Sequence, residues 1–343
     1  MEKRYEVAMT KRKILVLGDG AWGTALALNL YHNGHQVRVW GAFPDYITHL
    51  KKQRENTTFL PGVKIPAGIE FYHNIETALE AMDLMVLAVP TQHARSVLLK
   101  VKPFYSPVVP IVSVAKGIEH KTLARPSEII KEILKAKKIA VLSGPSHAEE
   151  VARRLPASVV LASRDKKFAR DVQRIFMNER FRIYTHSDMI GVELCGALKN
   201  IIAIAAGICD GLKLGDNAKS ALLTRGLVEI TRLGVKMGAR SGTFFGLAGL
   251  GDLITTCISP HGRNREVGIR IGQGETLARI MKTMKKVAEG VSTTQAVYPL
   301  IRKYKIAMPI TNEIYQVLFK NKNPRQAVSD LMTRQPKAEE IRI

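Results

Sequence analysis

Residues 13–40, KILVLGDGAWGTALALNLYHNGHQVRVW, constrain the fold more than any other part of the chain. Ile14 to Leu17 are continuously apolar and β-favouring, the pattern of a strand buried on both faces of a parallel sheet. Gly18-Asp19-Gly20-Ala21-Trp22-Gly23 follows at once, with G-x-G-x-x-G spacing. Thr24 to Asn33 then carry a helical pattern, Gly34 supplies a helix stop, and Gln36 to Trp40 restart as a strand. Gly18 permits the tight turn, Gly20 lets the backbone approach a pyrophosphate, and Gly23 lets the helix lie close to the strand. The free N–H groups and positive dipole end of that helix then face the phosphates. The glycine spacing alone is a weak signal, but between a buried strand and an amphipathic helix it specifies a dinucleotide site.

The pattern continues along the next 150 residues. Helices are expected over 45–54, 75–81, 91–102 and 166–177, with Asn74 as a cap, and strands over 69–72, 83–89, 108–115, 139–143, 159–163 and 181–184. Thr58 to Val63 reads as a surface excursion. Ligands of open parallel sheets sit beyond the carboxyl ends of the strands, so Val89-Pro90-Thr91, Lys116-Gly117 and Gly144-Pro145-Ser146 should border the nucleotide and substrate. From Asp188 onward helical periodicity takes over. The expected fold is α/β: an N-terminal doubly wound Rossmann-type domain, residues 13–188, followed by an all-helical C-terminal domain, residues 189–343, with a cleft between them. Residues 1–12 form a polar extension, and Met9 is an alternative start.

Several function classes lose support. The 52 Lys and Arg outnumber the 30 Asp and Glu, which steers anions toward the protein, but they are scattered without an arm or stacking aromatics, so no nucleic-acid partner is expected. The three cysteines have no C-x-x-C, and the nine histidines form no H-E-x-x-H, so no metal is expected. Unpaired cysteines and an apolar-poor start suit a cytoplasmic protein. The most apolar stretch, residues 194–209, is interrupted by Lys199 and Asn200 and is too short for a transmembrane segment. A homodimer is left open.

Four places carry chemistry. Lys199 lies in a small-residue helix and shares its stripe with Gly196, Ala203 and Gly207, which leaves room for something to approach. Burial there would lower its pKa into the range useful for proton transfer, although a lysine snorkelling to solvent or paired with a carboxylate fits too. Lys116 ends a buried strand and suits an anionic substrate, or is a loop lysine. Asp252, after Gly249-Leu250-Gly251, either orients a lysine or caps a helix. Arg263-Asn264, after Gly262, is good phosphate chemistry or a solvated turn.

With these residues in hand, the chain resembles the bacterial type of NAD(P)-dependent glycerol-3-phosphate dehydrogenase from about Lys13 to Asn323. The resemblance rests on GDGAWGTALA, FLPG after Asn56, VAKGIE from Val114, SGPSHAEE from Ser143, GALKNIIAIAAGICDG from Gly196, LTRGLVEITRLG from Leu223, FGLAGLGDL from Phe245, GRNREVG from Gly262, AEG from Ala288 and MPITNEIYQVLF from Met308. It implies reversible reduction of dihydroxyacetone phosphate, a small phosphate substrate, to sn-glycerol 3-phosphate for phospholipid synthesis. It implies Lys199 as the proton-transfer lysine, with Asp252 beside it. Lys116, Gly144, Ser146, Asp252, Gly262, Arg263 and Asn264 would line the substrate. Gly18, Gly20, Ala21, Trp22, Gly23, Lys116, Ala148, Arg263, Val287 and Glu289 would contact the cofactor. The chain departs from the family where Ala21 and Gly262 stand in place of a frequent Ser, and where Gly41-Ala42-Phe43 lacks a frequent basic residue. With neither an acid nor an arginine at Trp40-Gly41-Ala42-Phe43, nothing there repels or clamps a 2′-phosphate. Lys51, Lys52 and Arg54 are the nearest helper charges, and use of both NAD and NADP with a modest preference is expected.

Overall fold

A computed structural model describes residues 10–284, 287–336 and 338–339, so the first nine residues of the expected extension, Met9 among them, lie outside the described residues. Among the described residues there are ten strands: β1 (Lys13–Leu17), β2 (Gln36–Trp40), β3 (Glu55–Asn56), β4 (Leu60–Lys64), β5 (Ile69–Tyr72), β6 (Leu84–Leu87), β7 (Ile111–Ser113), β8 (Ile139–Ser143), β9 (Ala157–Ala162) and β10 (Phe181–His186). Eight of them form one sheet in the order β10-β9-β8-β7-β6-β1-β2-β5. Neighbours are parallel except at the β8–β9 pair, so β9 and β10 run against the rest. The chain order reverses between β1 and β6, which opens a crevice beyond their carboxyl ends. β1 is buried from Ile14 to Leu17, as its unbroken apolar run requires of a strand covered on both faces.

Two expectations change in detail. The strand expected over 108–115 shrinks to β7, because Val108 is 64% exposed and Pro110 has no N–H to give a ladder. The surface excursion at Thr58–Val63 is instead part of a small antiparallel hairpin, β3 with β4. Its Asn56 is fully buried and donates to Asp19 O and Thr24 Oγ1, each at 2.8 Å, so the hairpin braces the glycine turn.

The helix Met189–Gly211 follows three residues after β10 ends and forms the axis of the C-terminal half. It is buried continuously from Gly191 to Ile208, among the helices Gly215–Lys236, Asp252–Ile258, Arg263–Gly272, Glu289–Tyr304 and Pro309–Phe319. Among the described residues, the 189–211 and 241–258 segments have the length and apolarity of a membrane span. In the first, 94% of the apolar window is buried inside the protein; the second carries Asp252 into the cleft described below. Gly207 and Gly211 face Gly268 and Gly272 of the 263–272 helix at backbone contact. A Cβ at Gly207 would sit 2.0 Å from Arg265 O, and one at Gly268 would sit 2.0 Å from Ile204 O. The room beside Gly207 is therefore filled by a neighbouring helix rather than by an approaching ligand.

Candidate active site

The glycine turn has the geometry its spacing demands. Gly18 has φ +123°, and a Cβ there would meet Ala88 O at 2.8 Å. A Cβ at Gly23 would lie 2.0 Å from Gly18 O, whereas Gly20 has open space around it. Gly20 is also the N-cap of the helix Ala21–His32, which has no side-chain cap and no acidic residue in its first turn. Its N–H groups face the crevice free for an anion, as a pyrophosphate needs. Ala21 is buried, and the indole of Trp22 packs toward Phe181 at 6.5 Å between ring centroids, so these two residues offer the crevice backbone. Ala148, 6% exposed, likewise turns its methyl into the core.

Across the crevice lies a compact ionic cluster. Lys199 Nζ donates to Asp252 Oδ1 at 2.6 Å and to Thr256 Oγ1. Lys116 Nζ donates to Asp252 Oδ2 at 2.9 Å and to Gly144 O at 3.0 Å. One buried carboxylate, 1% exposed, thus holds two ammonium groups from separate domains. Asp252 is carried in by the turn of π-helix at Leu247–Gly251 and opens the 252–258 helix. Burial pushes the Asp252 carboxyl up, but the two lysines outweigh it and hold it below the usual range. Burial, reinforced by Lys116 and opposed by Asp252, brings Lys199 down to about 8. The lysine thereby gains a carboxylate partner and a pKa near the working range of an acid–base group at once.

Gly144, at φ +137°, brings its carbonyl to Lys116, and Ser146 Oγ donates to the same oxygen at 2.8 Å. Gly262 is the N-cap of the 263–272 helix without a side-chain cap. Arg263 Nη1 donates to Val287 O at 3.2 Å, and Asn264 Oδ1 accepts from Gly290 N at 2.9 Å. Glu289 accepts from Thr91 N and Thr91 Oγ1, both at 3.2 Å, bridging the helical half to the carboxyl end of β6. Its burial pushes the carboxyl up to about 7.

The structure thus joins Lys116, Gly144, Ser146, Lys199 and Asp252 directly, and places Arg263, Asn264, Val287 and Glu289 in a second linked set. Residues the sequence reading passed over are Thr256, which holds Lys199, and Asn200, whose Nδ2 donates to Lys116 O at 3.4 Å, whereas Thr91, expected at the border of the nucleotide, holds Glu289. His147 is another: its Nε2 is buried without a partner, and burial and the Lys199 charge push its pKa down. Asn200 and His147 directly follow Lys199 and Ser146 in the chain, a signal the sequence carried. Buried polar atoms without partners also include Asp19 Oδ2, Trp22 Nε1 and Ser143 Oγ, all from residues around this crevice. Among the described residues no cluster of His, Cys, Asp and Glu is arranged to hold a metal ion.

Comparison with known proteins gives a consistent picture. Residues 13–169 match the family described as NAD-dependent glycerol-3-phosphate dehydrogenase N-terminus, and residues 188–329 match its C-terminus. The chain is 48% identical over 332 residues to the NAD(P)+ glycerol-3-phosphate dehydrogenase of Citrifermentans bemidjiense, covering 96% of this chain and 99% of that one. It is 50% identical over 329 residues to that of Geobacillus kaustophilus, covering 95% and 96%. Among solved structures, glycerol-3-phosphate dehydrogenase from Coxiella burnetii superposes with a TM-score of 0.91 at 39% identity, covering 94% of this chain and 99% of that chain. A D-mandelate dehydrogenase, at 14% identity, a TM-score of 0.62, and coverage of 92% and 99%, shares the fold alone.

Proposed function

The chain belongs to the NAD-dependent glycerol-3-phosphate dehydrogenase family, and from that premise we propose how its cleft works. The protein is an NAD(P)-dependent oxidoreductase that reversibly reduces dihydroxyacetone phosphate to sn-glycerol 3-phosphate, the backbone of glycerophospholipids. The open, uncapped helix N-terminus at Gly20 and the close glycine contacts fit a dinucleotide pyrophosphate, so Gly18, Gly20, Gly23 and the backbone of Ala21 and Trp22 hold the cofactor there. When bound, the nicotinamide gives or takes the hydride. Ala148, Val287, Glu289, Lys116 and Arg263 border it from the facing elements.

Lys199 supplies the proton to the carbonyl oxygen during reduction and takes it back during oxidation. As the carbonyl carbon is reduced its oxygen gains negative charge, and a donor fixed at that place lowers the barrier. Asp252 is a positioning residue: its two oxygens pin Lys199 and Lys116, so both ammonium groups hold one geometry. Lys116, Arg263, Asn264 and the uncapped start of the 263–272 helix at Gly262 receive the substrate phosphate, and Gly144 and Ser146 shape the wall behind it. We place the domain division between residues 188 and 189, where the 189–211 helix begins, and assign the enzyme to the cytoplasm on its three free cysteines.

The observation that carries this reading is the buried Lys199–Asp252–Lys116 cluster across the crevice from the glycine turn. Lys199→Met is expected to lower kcat by about 10²–10⁴-fold with NADH affinity intact. The measurement is loss of NADH and NADPH absorbance with dihydroxyacetone phosphate, against unphosphorylated dihydroxyacetone, which should react very poorly. Turnover near wild type in Lys199→Met would remove the lysine from the chemistry.

A further inference from the structure

We propose that Asp19, inside the glycine turn, takes the place of the acidic residue missing after β2, receives the adenosine ribose hydroxyls and turns the enzyme toward NAD over NADP. The inference rests on the dinucleotide reading of the crevice and specifies how that site tells the two cofactors apart.

In folds of this type the ribose 2′-OH is met by an acidic side chain about 20 residues past the glycines, at the end of the second strand. Here that position is Gly41, directly beyond β2, with its N–H donating to Tyr72 O at 3.0 Å. The space above Gly41 is not empty. A Cβ built there would lie 2.2 Å from Asp19 Oδ2 and 2.7 Å from Asp19 Cγ. The Asp19 carboxylate therefore occupies the volume in which a side chain at 41 would start. A glycine at 41 is what allows it to lie there.

The backbone of the turn is held, but no cation among the described residues pairs with the carboxylate. Asn56 Nδ2 donates to the Asp19 carbonyl at 2.8 Å and is itself fixed by the Tyr46 hydroxyl, which donates to Asn56 Oδ1 at 2.6 Å. That bracket sets the backbone of the turn and leaves the side chain alone. Asp19 Oδ2 is buried with no hydrogen-bond partner, and Asp19 forms no ion pair among the described residues. Arg54, the first arginine after Gly41, is committed elsewhere: its Nη1 donates to Ile69 O at 2.7 Å and its guanidinium lies over Phe71. A buried carboxylate oxygen without a donor is costly, and such an atom persists at a site where a ligand brings the donor. Ribose hydroxyls are donors of that kind. A 2′-phosphate brings negative charge and no comparable donor to the same place, where a carboxylate opposes it at short range. On this proposal the group that repels a 2′-phosphate comes from the first turn and not from the end of β2.

The test is calorimetric titration with ADP-ribose and with 2′-phospho-ADP-ribose, which need no turnover, on the wild type, Asp19→Asn and Asp19→Ala. The wild type should bind ADP-ribose more tightly by about tenfold or more, as expected for one charge-assisted hydrogen bond and one removed repulsion. Both variants should narrow that ratio by about tenfold or more, chiefly by gaining affinity for the phosphorylated ligand, and the gain should shrink in high salt. Asp19→Asn keeps the shape of the side chain and Asp19→Ala removes it, so agreement between them excludes a packing artefact. Equal binding of the two ligands to the wild type, or a ratio unchanged in both variants, overturns the role of Asp19 and leaves the dehydrogenase reading standing. Failure of the wild type to bind either ligand overturns both.

Discussion

Lys199 shows how the surroundings of a single residue set its acid–base chemistry. Its Nζ has lost nearly all water, which favours the neutral amine, and has gained one oxygen of Asp252, which favours the ammonium. Burial wins, and the group titrates at about 8. Reduction needs the ammonium, so kcat/KM for dihydroxyacetone phosphate should fall as pH rises through about 8. Oxidation needs the amine, so kcat/KM for glycerol 3-phosphate should rise over the same range. Initial rates in both directions across pH 6–10 check the opposed limbs, and parallel limbs would remove Lys199 as the titrating group. Asp252→Asn leaves two ammonium groups without the carboxylate between them. It should move both limbs to lower pH and reduce kcat by roughly 10²–10³-fold, whereas a merely structural role would lower stability without moving the limbs.

At the scale of the element, the 189–211 helix owes its place to glycines on both sides of one contact. Gly207 and Gly211 meet Gly268 and Gly272 closely enough that a methyl group would strike backbone carbonyls. The 263–272 helix starts with Arg263 and Asn264, so the crossing distance also sets where these two proposed phosphate contacts stand. Gly268→Ala should force the helices apart, lower stability by about 1–3 kcal/mol and raise KM for the phosphorylated substrate more than it changes kcat. Gly242→Ala, at a position with nothing within 4 Å of a new methyl, should stay within about 0.5 kcal/mol of wild type. Thermal melts and steady-state kinetics on the two variants check both. Equal losses would show that the helix contact is tolerant.

Across the whole molecule, buried glutamates tie helix starts to distant segments. Glu193 accepts from Ser127 N at 2.7 Å, Glu289 from Thr91 N, and Glu229 from Ile310 N at 2.8 Å and Thr311 N at 3.1 Å. The helices Thr91–Val101 and Pro309–Phe319 have no side-chain cap of their own, so the acids satisfy N–H groups that the local sequence leaves open. Burial raises Glu229 from an ordinary 4.5 to about 7, against the pull of those N–H donors. A raised carboxyl pKa contributes stability that is complete below about pH 4.5 and lost as pH climbs through about 7. Glu229→Gln keeps an acceptor and stays neutral. Between pH 4.5 and 7 the stability difference should therefore shift toward the variant by roughly 1–3 kcal/mol, measured by denaturant unfolding at each pH. A constant difference would place the Glu229 pKa near its ordinary value.

Local physics made much of this protein legible from its residues alone. An apolar run followed by three spaced glycines and an amphipathic helix can form little other than β1, its turn and the helix 21–32, because strand burial, turn geometry and helical period are properties of neighbours in the chain. For the same reason Lys116 and Lys199 stood out, one at a strand end and the other inside an apolar helix, and the change to helices after residue 188 was plain. Tertiary structure alone decided what those residues meet. Asp252 lies 53 residues from Lys199 and 136 from Lys116, and only the folded cleft makes one carboxylate serve both. Gly207 read as room for a ligand but serves a helix crossing, whereas Gly196 faces Ser143 and Lys116, because a missing side chain says that something comes close without saying what. Asp19 read as a turn residue, and Gly41 as an empty position. That one fills the space of the other follows from the parallel pairing of β1 with β2, a contact between strand ends that no local pattern encodes.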